Sequence, residues 1–446
     1  MNAVAMAATS SVGRGKYKIY PSYKASDVTW LKDVPAHWLI THLKYAAPVA
    51  TTKLTNKPSD LPYIGLENIE SGTGRLLPGA SIEEVDGTVS IFSCGDILFG
   101  KLRPYLAKVV YATFDGVCST EVLAFRPRKD VDGRYLFYRL LSDDFINLVN
   151  SLTYGAKMPR ANPEQIGTIS LALPPKIEQH AIVAFLDREM AKIDALIAKK
   201  ERLIEVLEEK RTALISTSVT RGLSSNVSLN DSRVEWLGDV PSHWTVARLK
   251  QVCRESALYG ANESAESYAD DGVRFLRTTD IDDNGGLRTE GAVYLDRALV
   301  GEYILKNGDL LISRSGTLGR SFIYDAQRHG ECAYAGYLVR FVLDRDMEPR
   351  FAFYFTKSRH FADWLSVSVI QSTIGNVNGQ KYANMPLPVP PLDEQRGIVA
   401  YLNRETSRLG ELIGKVREHI GALREHRTAL ISAAVTGKID VREDLR

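Results

Sequence analysis

The sequence predicts a mixed α/β protein. It has two globular domains at opposite ends of a long antiparallel coiled coil, with an internal pseudo-two-fold repeat. Three observations lead there. The chain is written twice: VTWLKDVPAHW at 28–38 returns as VEWLGDVPSHW at 234–244, and LPPKIEQHAIVAFLDRE from Leu173 returns as VPPLDEQRGIVAYLNRE from Val389. A period of about 210 residues is far beyond a solenoid unit, so a whole domain plus a helix is duplicated. Each copy ends in a heptad-spaced helical stretch, and each begins with short strand-like runs.

In chain order, residues 1–25 are basic without an apolar core. They read as a flexible N-terminal tail rather than a signal peptide. A first domain follows over 26–172. Its strand-like runs are 61–64, 96–99, 107–111 and 121–125, and an amphipathic helix is expected over 135–150. The first long helix spans 173–223. Leu186, Met190, Ile193, Ile197, Lys200, Ile204, Leu207, Arg211 and Leu214 step by four and three, which is a heptad seam.

The second domain covers 224–388, with strand-like runs at 273–276, 309–312, 321–324 and 337–341 and a helix over 349–366. The second long helix spans 389–439. Its seam is Leu402, Thr406, Leu409, Ile413, Val416, Ile420, Leu423, Arg427 and Leu430. Paired prolines suit both helix starts, and Gly222 and Gly437 suit their stops. Residues 440–446 form a C-terminal tail. A helix of about 40 residues is about 60 Å long and cannot bury a stripe alone. The simplest partner for each is the other. The second domain links the end of one to the start of the next, so an antiparallel pair spares it from spanning their length.

Composition bounds the function. The 446 residues carry a net charge of +2, so a nucleic-acid surface would be local. Cys94, Cys118, Cys253 and Cys332 are far apart, which suits reduced thiols in a cytoplasmic protein rather than a zinc site or a disulfide framework. No apolar run is long enough to cross a bilayer.

The stretch GDILFGK at 95–101 has the glycine and lysine spacing of a phosphate-binding loop. Its middle is an apolar strand, Leu102 stands where magnesium would need a hydroxyl, and the second copy reads GDLLISR at 308–314. A Gly-Asp turn leading into a strand is the better reading. No GxGxxG loop follows a strand. No Asn/Asp-Pro-Pro-Tyr/Phe methyltransferase motif is present, since Asn162-Pro163 continues as Glu164-Gln165. His419 and His426 are spaced as helix-surface residues, and Asp143-Asp144 and Asp282-Asp283 as caps or turns. No catalytic residue, resident cofactor or metal is expected.

The polar loops carry the chemistry of base and phosphate recognition. In the first half these are Lys101, Arg103, Lys108, Tyr154, Lys157 and Arg160. In the second they are Arg277, Ser313, Arg314, Thr317, Arg320, Gln371, Thr373, Asn376, Asn378 and Lys381. Arg and Lys suit phosphates and guanine edges, Asn and Gln suit adenine, and Tyr154 can stack. Such residues also fill ordinary solvated loops, so composition leaves both readings open. Arg211 and Arg427 interrupt an apolar seam inside the shared hexamer RTALIS. They either snorkel where the seam frays or, with Glu178, Gln179, Glu394 and Gln395 in the first helical turns, dock a partner protein.

The tandem W-L-x-D-V-P-x-H-W openings, the PP-x-x-EQ helices ending in RTALIS and the Gly-Asp strands together resemble the specificity subunit of type I restriction–modification enzymes, over nearly the whole chain after the tail. The resemblance implies two target-recognition domains that each read one half of a bipartite, asymmetric DNA site. It also implies spacer helices that set half-site separation and bind two modification subunits. Those subunits would methylate adenine with S-adenosylmethionine, and restriction subunits would use ATP and magnesium. The first half departs from the second by carrying GKLRP in place of SRSGT. A coiled-coil scaffold that binds no DNA is the alternative.

Overall fold

A computed structural model describes residues 17–55, 61–77, 87–155, 157–368 and 375–443. The chain forms two compact units: Met1–Lys200 with Arg417–Arg446, and Glu201–Val416. Among the described residues no helix is long and apolar enough to cross a membrane.

In the first unit, Val122–Phe125, Ile97–Gly100 and Val109–Tyr111 form an antiparallel three-stranded sheet. A four-stranded sheet of Lys53–Leu54, Val89–Phe92, Gly116–Ser119 and Tyr63–Ile64 lies in the same domain. Ile97–Gly100 is buried along its whole length. Asp96 before it is buried too; it accepts the amide of Ser93 and a bidentate pair from Arg126 at 2.8 and 3.0 Å. The second unit repeats this. Asp309 accepts the amide of Lys306 and pairs with the buried Arg340 at 2.7 Å. Gly95 and Gly308 enter these turns at φ of +92° and +87°, which glycine alone adopts without strain. The Gly-Asp element is therefore a turn tied to the neighbouring strand, and the amides of Gly95, Asp96, Gly308 and Asp309 are all bonded to backbone carbonyls.

One amphipathic helix was expected in each domain; the structure has two. Gly133–Leu141 breaks before Asp143–Ser151, and Pro349–Phe355 before Arg359–Ser368. At the breaks, the Ser142 hydroxyl donates to the Arg139 carbonyl and the Ser358 hydroxyl to that of Phe355, both at 2.7 Å. A serine that takes over the backbone's acceptor competes with the helical bond.

The long helices run Lys176–Arg221 and Leu392–Val435. In the first unit, Phe185, Leu186, Met190 and Ile193 near the start of one share a core with Leu430, Ile431, Ala434 and Val435 at the end of the other. In the second unit, Ile398 and Leu402 near the start of one share a core with Ile215 and Val219 at the end of the other, and Leu409 and Ile413 meet Leu207. Each unit on its own thus holds the helices in opposite senses. Gly222 and Gly437 end them at φ of +76° and +73°.

The two repeated sequence motifs turn out to be each other's partners. Glu178 in the first turn of the first helix is 5% exposed and accepts from the Tyr20 hydroxyl, from Trp38 Nε1 at 2.9 Å and from His37 Nε2 at 2.7 Å. Glu394 does the same with His243 at 2.8 Å and Trp244 at 3.0 Å. Gln179 and Gln395 are buried. Each accepts one domain amide, of Asp132 or Glu348, and donates to carbonyls of Asp130 and Pro174 or of Asp346 and Pro390. The opening strands Leu39–His42 and Thr245–Arg248 pair with Ser170–Leu173 and Pro386–Val389, which lead into the helices.

These contacts correct the expected tails. Tyr23–Ala25 is a strand, Tyr20 is buried, and Lys18 bridges Asp440. Ile439 and Val441 are buried in the same core, so residues 17–25 and 440–443 are packed structure. Residues 1–16 and 444–446 lie outside the described residues.

Candidate nucleic-acid interface

Where the buried strand Ile97–Gly100 ends, the chain emerges between two other loops. The Lys101 amide donates to the Glu121 carbonyl at 3.0 Å, and its own carbonyl accepts the Ala161 amide at 2.9 Å. The Arg103 amide reaches the Pro159 carbonyl at 2.7 Å. Tyr154 and Arg160 exchange two backbone bonds at 3.0 Å, closing a hairpin that carries the exposed Lys157. Lys101, Arg103, Tyr154, Lys157 and Arg160 therefore gather on one loop cluster. Tyr154 is 63% exposed and Tyr105 is exposed beside Arg103. Arg160 pairs with Glu121 at 3.1 Å. Arg103 sits at φ +50°, and its Nε is buried with no hydrogen-bond partner among the described residues.

The second unit builds the same frame with other side chains. The Arg314 amide donates to the Tyr337 carbonyl at 2.9 Å and its carbonyl accepts the Val377 amide at 3.0 Å. Ser315 bridges Asn376 as Leu102 bridges Arg160. Asn162 and Asn378 then each cap a short helix, Pro163–Gly167 and Gly379–Ala383. The frame thus pairs Lys101 with Arg314, Glu121 with Tyr337 and Arg160 with Asn376. The Arg314 guanidinium lies 4.9 Å from the Tyr259 ring centroid, and its buried Nε has no hydrogen-bond partner among the described residues. Tyr337 beside it is 63% exposed. A guanidinium at this distance from a tyrosine ring makes a cation–π contact, which leaves its N–H donors able to bond elsewhere. Thr317 is exposed in the loop between Gly316 and Gly319, both in the left-handed region. Tyr105 is legible from the sequence, since it follows the Gly-Asp strand with Lys101 and Arg103; Tyr259 and Tyr337 were missed by sequence reasoning.

Several of the expected contact residues have side chains engaged within their own domain. Lys108 donates to the Leu66 carbonyl at 2.5 Å. Arg277 forks onto Asp280 and reaches the Gly291 carbonyl at 2.7 Å. Ser313 is buried; its hydroxyl donates to the Thr317 carbonyl and accepts the Arg320 amide. Arg320 pairs with Asp283 at 2.7 Å. Asn378 is a helix cap, and Lys381 donates to the Ser368 carbonyl at 2.7 Å. Gln371 and Thr373 lie outside the described residues.

The six helix residues expected to dock a partner are also engaged internally. Glu178, Gln179, Glu394 and Gln395 bind their own domains as described above. Arg427 is 8% exposed and bonds Gly72 and Thr73, while Arg211 bonds Asn284. Neither arginine frays. Among the described residues no group of three His, Cys, Asp or Glu side chains could hold a metal ion.

Comparison with known proteins decides the family. The type I restriction modification DNA specificity domain matches twice, over residues 46–208 and 241–420. The chain belongs to this family. A specificity subunit of this family from Methanocaldococcus jannaschii, that of the type I restriction enzyme MjaVIII, is 26% identical over 389 residues, 85% of this chain and 86% of that one. The EcoDI specificity subunit of Escherichia coli is 31% identical over 172 residues, 37% of this chain and 38% of its own. Among solved structures, a chain from work on complex assembly and conformational transition of the type I R-M system superposes with a TM-score of 0.68 at 20% identity. It covers 90% of this chain and 98% of that one. The likeness to it is one of fold. Each matched segment of this specificity protein holds one target-recognition domain and much of the long helix that follows it.

Proposed function

We propose that the protein is the DNA-reading, non-catalytic subunit of a type I restriction–modification complex, and that each domain reads one half of a bipartite, asymmetric site. The observation that carries this is the shared loop frame with exchanged side chains. Lys101, Glu121 and Arg160 in one domain stand where Arg314, Tyr337 and Asn376 stand in the other. A common frame with unlike donors and acceptors is what two readers of unlike sequences need. Lys101, Arg103, Lys157, Arg160, Tyr154, Arg314, Thr317 and Asn376 are the contacts retained.

The long helices set half-site spacing and hold two methyltransferase subunits in the cytoplasm. S-adenosylmethionine, ATP and magnesium belong to those partners and to the restriction subunits.

The test is methylation mapping of a host genome with and without this chain. An interrupted motif carrying methyladenine in each half is expected. An uninterrupted palindrome overturns the reading. Gel shifts with the methyltransferase partner separate it from a scaffold, which shows no sequence preference.

A further inference from the structure

The arginine of the RTALIS hexamer reaches the corresponding turn in both units, through two backbone carbonyls in the first and one side chain in the second. Arg427 donates from Nη1 to the Gly72 carbonyl at 2.9 Å and from Nη2 to that of Thr73 at 2.6 Å. Its Nε lies 3.7 Å from Asp194 on the first long helix, and Arg75 of the same turn reaches Asp194 at 2.7 Å. In the second unit, Arg211 donates to Asn284 at 2.5 Å.

The two turns correspond. Each follows a short helical turn, Leu66–Asn68 or Thr278–Asp280, whose last side chain accepts the amide of Gly65 or Arg277 at 2.8 Å. Each is closed by a backbone bond, Glu70 to Arg75 at 3.0 Å or Asp282 to Gly286 at 2.9 Å. Each sits on a phenylalanine of its domain. Gly74 and Gly285 have φ of +77° and +79°, and a Cβ there would lie 2.3 Å from the Phe137 ring or 2.4 Å from that of Phe353.

In the first unit this gives the domain a further attachment to its helices. One end of the attachment is at Glu178; the other, at Asp194 and Arg427, is sixteen residues further on (178 to 194), or about 24 Å along the axis. Between them Asp187 accepts from Arg134 and Tyr138, both at 2.7 Å, so the Arg427 contact is the far end of a row of attachments, where leverage on the domain's angle is greatest. A guanidinium forked onto two carbonyls is directional as well as strong. At a lever of about 20 Å, a rotation of roughly ten degrees moves a loop by about 3.4 Å, one base-pair step.

We propose that Arg427 and Arg211 are positioning residues that fix the angle of each domain on its helices and so set the half-site spacing the protein accepts. The inference rests on the bipartite reading above.

The experiment is methylation mapping in cells carrying the whole complex with wild type, Arg427→Lys, Arg427→Ala and Arg211→Ala. Both half-site sequences stay unchanged in the variants, while methylation of sites with a spacer one base pair longer or shorter rises about tenfold, the scale of losing a charge-assisted bond. Arg427→Lys keeps the charge but loses the fork, so it decides the matter if the alanine variant is unstable; an intermediate rise is expected. A folded variant that keeps the single wild-type spacer overturns the proposal. So does one that changes half-site sequence, because the arginine would then act on reading. If the wild type itself yields an uninterrupted motif, the parent reading fails first.

Discussion

Glu178 accepts from three side chains that lie more than a hundred residues away in the chain, and its value to the fold can be measured. Glu178→Ala leaves the Trp38 indole and the Tyr20 hydroxyl without their acceptor. A loss of about 2–4 kcal/mol in urea unfolding is expected. The sequence placed this glutamate in a first helical turn but could not say whether it faced inward, because its partners are fixed only by the tertiary fold.

The same limit applies to the loop residues that the fold engages internally. Arg277 and Arg314 look alike in sequence, yet one forks onto Asp280 and the other lies over the Tyr259 ring, with no side-chain hydrogen bond among the described residues. Arg314→Ala should cost about 1–3 kcal/mol of specific binding and relax one position of one half-site, read by gel shift with the partner present. Lys357 is half-buried, and desolvation pulls its ammonium down to about 8 despite Asp282 and Asp283. An unfolded lysine titrates near about 10.4, so between these values the unfolded chain binds more protons. Stability should rise with pH across that window and be lost as pH falls back through about 8. Lys357→Met should flatten the slope, as read from urea midpoints of the two proteins. Burial also pushes Cys118 and Cys253 up to about 12 and Cys332 up to about 11. Cys94 is the exposed thiol, so native labelling at neutral pH should modify Cys94 alone.

The long helices were legible as elements because their apolar positions recur at heptad spacing. Leu186, Met190, Ile193 and Leu207 are buried as that spacing requires, and so are Leu409, Ile413, Val416 and Ile420. The polar seam positions were less transparent. Thr406 returns its hydroxyl to the Leu402 carbonyl and meets Tyr354, and Arg427 leaves the seam to hold a turn. The domain helices were read too long because a serine break is invisible to periodicity. Gly285→Ala tests an element contact directly. Its Cβ would meet the Phe353 ring at a positive φ, so a loss of about 1–3 kcal/mol is expected, seen as a lower melting temperature.

For the whole molecule, the tandem repeat, the heptads and the strand runs already implied two like domains and two paired helices. On the proposed reading, a matched seven-residue insertion in both long helices keeps the seam in register and lengthens them by about 10.5 Å. The methylated site should then gain about three base pairs of spacer, checked by mapping. Sequence alone determined what local patterns encode: the duplication, the helix lengths, the Gly-Asp turns and the family resemblance. Only the tertiary structure decided which charged residues face out. Glu178 with Trp38, Arg427 with Gly72 and Arg314 with Tyr259 are contacts between segments far apart in the chain, and the desolvation that commits or frees a side chain exists only once those segments meet.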